Sequence, residues 1–230
     1  MKKTYLYLCC FLSMINIAYA IKPMKEYFAY PEDYGFISET KYAQTVDSLN
    51  IIIWHIPPTS DDKKNISIII SSSDAGNMSN WLIIGGNLSY FGFDVWLYDY
   101  RGFGGSSDFQ IEQDMLYYEE FVKDLTAVVE TVKISEPHNK ICLLGYSMGT
   151  VISMKYLIEN QNNVDFYIGD GHVYSPEIVT KRLSETKDSP ILLPKTDPPN
   201  FDWKSFYENL QIPVMLYCAY FGASPPNKSR

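Results

Sequence analysis

The chain has 230 residues, enough for one sizeable core, and a composition 46% apolar and 15% aromatic excludes a disordered chain. Its net charge of −8 argues against nucleic acid and anionic membrane surfaces as principal partners.

In chain order, Lys2-Lys3, a mostly apolar run from Tyr5 to Ile17 and Ala18-Tyr19-Ala20 read as an export signal cleaved after Ala20. The expectation is a periplasmic or extracellular protein whose domain covers 21–230. The alternative is an uncleaved signal acting as a membrane anchor. The apolar run is short for a span and is interrupted by Ser13 and Asn16, so no stable span is expected after cleavage. Cleavage removes Lys2, Lys3 and no acid, which moves the net charge from −8 to −10. It also removes Cys9 and Cys10. Cys142 and Cys218 remain, both in apolar strand-like runs, and are read as buried thiols rather than a disulfide.

Asn50 to Ile56 reads as a strand that ends at Pro57-Pro58, and Asp61 to Asn65 as a polar turn. Strands are expected at 66–70 and 95–99. Tyr118, Phe121, Val122, Leu125, Val128, Val129 and Val132 mark an amphipathic helix. Strands follow at 141–144, 166–168 and 213–217. Short apolar strands alternating with helices predict an α/β fold, a mostly parallel sheet with helices on both faces. The Pro-, Lys- and Asp-rich stretch 175–202 breaks the alternation and is read as a small cap or lid.

The chemistry concentrates at Gly145-Tyr146-Ser147-Met148-Gly149, which joins the 141–144 strand to a helical pattern carrying Val151, Ile152, Met154 and Leu157. This context is a nucleophile elbow, in which a tight strand-to-helix turn lifts a serine hydroxyl above the sheet. Gly145 and Gly149 lack a Cβ, so strand and helix can approach closely. Ser147 is therefore the candidate nucleophile, placed at the positive end of a helix where an oxyanion is favoured.

A base is harder to find, because the last histidine is His172. His55 alternates within an early strand and reads as structural. His138 precedes the elbow strand and reads as a surface residue on the opposite sheet edge. His172 follows the 166–168 strand, at the same sheet edge as Ser147, and is the one candidate base; Asp170 in the same loop could orient it. The alternative is that Asp170 and His172 merely shape a polar loop. No Cys/His cluster has metal-ligand spacing, and no metal or cofactor is expected.

Three ordered motifs resemble the α/β-hydrolases, in particular the serine-aminopeptidase-like and abhydrolase-domain branch. Asp74-Ala75-Gly76-Asn77 is similar to the end of a His-Gly-Asn-Ala-Gly oxyanion loop. Asp99-Tyr100-Arg101-Gly102-Phe103-Gly104-Gly105-Ser106 resembles an Asp-Tyr-Arg-Gly-x-Gly-x-Ser turn, and 145–149 is the elbow. The resemblance implies serine hydrolysis of an ester, thioester or amide in a small-molecule, acyl or peptide substrate. It implies an oxyanion hole from the N–H groups of Asp74 and Met148, and a turn-stabilising role for Arg101. It also carries departures. Ser72-Ser73 replaces the family's His-Gly, and Phe221 stands where an acid is expected. The family's further strand, His-bearing loop and terminal helix would fall beyond Arg230.

Two readings follow. One is a serine hydrolase whose gene product lost its C-terminal end, for which a frameshift near residue 218 would account. The other is a catalytically inactive hydrolase-fold binding protein, favoured by the departures at Ser72, Ser73 and Asp74. On either reading this chain is expected to be weakly active or inactive, with apolar surface exposed.

Overall fold

The computed structural model describes residues 20–186, 190–197 and 201–217. The export signal up to Tyr19, Cys218 and Phe221 lie outside the described residues.

Nine strands and five α-helices are found among the described residues. They run β1 (Lys22–Pro23), β2 (Glu39–Gln44), β3 (Asn50–Ile56), β4 (Ile66–Ser71), β5 (Ala75–Gly76), α1 (Leu82–Tyr90), β6 (Asp94–Tyr98) and α2 (Glu120–Ser135). β7 (Lys140–Tyr146), α3 (Met148–Asn160), β8 (Phe166–Asp170), α4 (Pro176–Thr186), α5 (Trp203–Glu208) and β9 (Val214–Tyr217) complete the order. Seven strands form one sheet in the order β2-β3-β6-β4-β7-β8-β9. β2, β3 and β6 pair antiparallel, and the remaining pairs are parallel. The expected mostly parallel α/β sheet is what forms.

Side-chain alternation along these strands builds two cores, one on each sheet face. Ile51, Ile53, Ile69, Trp96, Tyr98, Ile141 and Leu143 face one way, against Phe121, Leu125, Val128 and Val132 of α2 and Val151, Ile152 and Leu157 of α3. Their immediate neighbours Ile52, Trp54, Ile68, Ile70, Val95, Leu97 and Leu144 face the other way, with Leu82 of α1. Cys142 belongs to this second face and is a buried free thiol, as its apolar setting led one to expect. Burial raises its pKa to about 12, so it is an inert packing residue at neutral pH.

Two features have no sequence signature. β1 pairs in parallel with β5, so the residues just after Ala20 hold the 74–77 loop: Lys22 N donates to Asp74 O at 2.8 Å and Met24 N to Gly76 O at 2.9 Å. The second is a buried ion network. Arg101, 2% exposed, donates from N and Nε to Asp124 of α2 at 2.9 and 2.8 Å. Its Nη1 and Nη2 grip Asp47 of the β2–β3 turn at 2.8 and 2.9 Å. Arg101 thus ties together three elements rather than its own turn alone.

Between β8 and β9 the chain runs through α4, a segment at 190–197 and α5. Leu116 N donates to Leu192 O at 2.9 Å and Leu192 N to Asp114 O at 2.8 Å, so this stretch leans on the loop before α2. Lys155 of α3 pairs with Asp197 and Glu119. Among the described residues no helix is long and apolar enough to cross a membrane.

Candidate active site

In a parallel sheet the C-terminal strand ends gather the loops that can carry chemistry. β4 and β7 are adjacent here, with Ser71 level with Gly145. The 72–77 loop and the elbow therefore leave the sheet side by side. Ser147 sits between β7 and α3 with φ 49° and ψ −114°, a left-handed conformation that costs a non-glycine residue about 1–3 kcal/mol. The strain persists because both glycines of the motif are locked against backbone. A Cβ at Gly149 would lie 2.1 Å from Ser71 O, and one at Gly145 would lie 2.8 Å from Gly149 O. Only glycine lets α3 come this close to β4 and β7.

Met148 is the first residue of α3 and is buried, so its N–H has no acceptor within the helix and points from the positive helix end. Asp74 lies half-buried in the neighbouring loop, at the same sheet edge. Ser72, buried where the resemblance has a histidine, accepts a bond from Tyr100 Oη through its carbonyl at 3.2 Å.

One carboxylate holds the loop in place. Asp99 is fully buried and accepts from Met78 N at 2.7 Å and Tyr27 Oη at 2.6 Å. A Cβ at Gly104, where φ is 40°, would lie 1.8 Å from Asp99 Oδ2. Burial raises the Asp99 pKa to about 6, despite these donors. Asp99 was legible in the motif only as a mark of the fold. Tyr27, which completes the anchor, carried no sequence signal, because its role depends on a contact across 72 positions.

The loop after β8 also meets the elbow, through backbone. Ser147 N donates to Asp170 O at 2.9 Å, and Gly171 adopts φ 63° with its Cβ position 3.7 Å from Ser147 N. The Asp170 side chain is exposed. His172 turns inward and is 9% exposed. Its Nε2 lies 2.7 Å from Tyr207 Oη of α5 and its Nδ1 lies 3.4 Å from Tyr167 Oη. Among the described residues no hydrogen bond joins His172 to Ser147 or to Asp170. His138 is exposed, and His55 is buried in β3.

Burial lowers the His172 pKa from 6.5 to about 4. The imidazole is therefore neutral at pH 7 but a weak proton acceptor. The unfolded chain protonates this residue below about 6.5, whereas the folded chain resists until about 4. Its contribution to stability is complete above pH 6.5 and is lost as the pH falls toward 4. We expect roughly 2–3 kcal/mol of acid sensitivity from this group. The check is the difference in urea-unfolding free energy between wild type and His172→Gln across pH 4–7. A flat difference would remove His172 as the cause. Asp99 acts with the opposite sign, because its raised pKa makes ionisation between pH 4 and 6 unfavourable in the folded state.

The sequence model of the family described as Serine aminopeptidase, S33, matches residues 77–177. The mouse lysophosphatidylserine lipase ABHD12 is 26% identical over 215 residues, covering 84% of this chain and 50% of that protein. The probable lysophospholipase L2 of Haemophilus influenzae is 25% identical over 158 residues, covering 67% of this chain and 49% of its own length. The chain thus spans about half the length of the curated relatives it matches. Among solved structures, the Pyrococcus furiosus esterase Pf2001 superposes with a TM-score of 0.64 at 17% identity, over 85% of this chain and 75% of that one. XC6422 of Xanthomonas campestris, described as an α/β serine hydrolase without lid, gives 0.52 at 16% identity, over 79% of this chain and 84% of that one.

Proposed function

The chain is a member of the α/β-hydrolase superfamily, and on that premise we propose that it hydrolyses the ester of a single-acyl lipid through Ser147. The observation that carries the proposal is the strained Ser147 backbone at the start of α3. In this reading the Ser147 hydroxyl attacks the acyl carbon and passes its proton to a base, the role the sequence gives His172. The alkoxide on the former carbonyl oxygen is held by the N–H groups of Met148 and Asp74. The lipid's alcohol leaves with that proton, and water then cleaves the acyl-serine to free the fatty acid and the hydroxyl. A half-buried carboxylate at Asp74 opposes that charge and lowers the rate. The lipid assignment follows the relatives, two of which are a lysophosphatidylserine lipase and a probable lysophospholipase. The described part of the 175–202 stretch serves as the cap in this reading, and the Lys155–Asp197 pair ties it to α3.

Export remains part of the proposal. It rests on the Lys2-Lys3, apolar and Ala18-x-Ala20 order.

A second reading, ligand binding without turnover, is favoured by one observation: both ring nitrogens of His172 face tyrosine hydroxyls rather than Ser147. Fatty-acid release from a lysophospholipid and a diacyl phospholipid, and aniline release from an aminoacyl anilide, separate the readings. The proposal expects release from the single-acyl lipid to lead. Cleavage of the anilide alone would overturn the lipid assignment. Saturable binding of the lysophospholipid with no release would establish the second reading.

A further inference from the structure

Ligand spacing along the sequence reveals no metal site, but the fold brings three donors together at the sheet edge opposite Ser147. His55 is the penultimate residue of β3, Asp94 begins β6, and Glu136 follows α2. β3 runs antiparallel to β6, so its C-terminal end lies beside the start of β6. One donor atom from each of His55, Asp94 and Glu136 lies within 4.8 Å of the other two.

The burial of this group is what demands explanation. His55 is 6% and Asp94 4% exposed. Asp94 Oδ1 lies 2.6 Å from His55 Nε2, while its Oδ2 accepts from Ser67 Oγ at 2.6 Å and from Trp96 Nε1. The His55 ring is stacked on Trp96 with centroids 4.1 Å apart, so it cannot swing out to water. Its Nδ1 is buried and has no hydrogen-bond partner. The nearest charge to Nδ1 is another carboxylate, Glu39 Oε2, at 3.7 Å. The ring thus lies between carboxylates, with Nε2 facing Asp94 and Nδ1 facing Glu39.

We propose that His55, Asp94 and Glu136 bind a divalent transition cation, with Zn²⁺ the best match. One imidazole nitrogen with two carboxylate oxygens suits a borderline cation such as Zn²⁺ better than Ca²⁺, which prefers six to eight oxygens. The donors lie at the edge away from Ser147, so the ion joins β3, β6 and the α2–β7 connection and stabilises the fold without entering the chemistry. Glu39, already paired with Lys41 at 2.9 Å, supplies outer charge.

The test is calorimetric titration of the untagged full chain with Zn²⁺ and with Ca²⁺, alongside thermal unfolding with and without Zn²⁺. The expected result is saturable 1:1 Zn²⁺ binding, Ca²⁺ binding far more weakly, and a higher unfolding midpoint with Zn²⁺. Glu136→Gln keeps the shape of a half-exposed side chain and should leave metal-free stability unchanged. It should weaken Zn²⁺ binding by at least about tenfold, since even loss of an outer-shell partner costs that much. His55→Gln should do the same, and Glu136→Gln stands alone if that variant fails to fold. Absence of saturable Zn²⁺ binding, or binding that Glu136→Gln does not weaken, would overturn the site.

Discussion

Replacing Ser147 with alanine is expected to abolish covalent labelling by a fluorophosphonate and to cut ester hydrolysis by several orders of magnitude. In serine hydrolases, deleting the nucleophile costs up to about a million-fold in turnover, while oxyanion donors and binding leave about a thousandfold over water. The measurement is hydrolysis of an activated ester by both proteins, with the adduct located by mass spectrometry. An adduct on any other residue, or hydrolysis undiminished in Ser147→Ala, would refute the assignment. A companion substitution separates chemistry from strain. Ser147→Gly removes the same hydroxyl but tolerates φ 49°, so it should be more stable than Ser147→Ala by about 1 kcal/mol. The serine is then held in a conformation that the fold would be more stable without.

The second large effect concerns stability. Arg101→Ala leaves Asp124, which is fully buried, with the backbone N–H of residue 101 as its one donor among the described residues. Removing one partner of a buried ion pair costs about 3–5 kcal/mol, a large part of the 5–15 kcal/mol that holds a domain folded. Burial already sets the Asp124 pKa at about 6, even with the guanidinium present. Without Arg101 it must rise further, so the deficit of Arg101→Ala should shrink as the pH falls toward 6 and stay level just below it. Asp47 changes in the other sense, because its hydrogen bonds to Arg101 hold its carboxyl well below the usual range. Adding Asp124→Asn to Arg101→Ala should recover part of the loss. Denaturant unfolding of the single and double variants at pH 5 and 7 checks both statements. A loss under 1 kcal/mol for Arg101→Ala would show that the network is dispensable.

Single residues show where sequence reading reached and where it stopped. The central sheet strands, the α2 stripe and the Gly145–Gly149 elbow were all legible in the chain. Each is encoded locally: a strand buried on both faces by a short apolar run, a helix by its apolar stripe, and the elbow by two positions where a Cβ would strike backbone. The motif order also carried the placement of the 74–77 loop beside Ser147, because β4 and β7 are neighbours in this fold.

Tertiary structure decided everything that depends on partners distant in sequence. Nothing around Tyr27 announces a bond to Asp99, nor anything around Lys22 a strand pairing with Ala75. His172 was assigned to the correct sheet edge from its strand, yet which way its ring turns is set by Tyr167 and Tyr207, the latter 35 residues away. His55 read as a packing residue in a strand, and only the antiparallel pairing of β3 with β6 brings it to Asp94. The physical reason is common to these cases. Periodicity and turn chemistry act over a few residues and survive in the linear code, whereas the electrostatics of a site come from burial and from charges that the fold alone brings together.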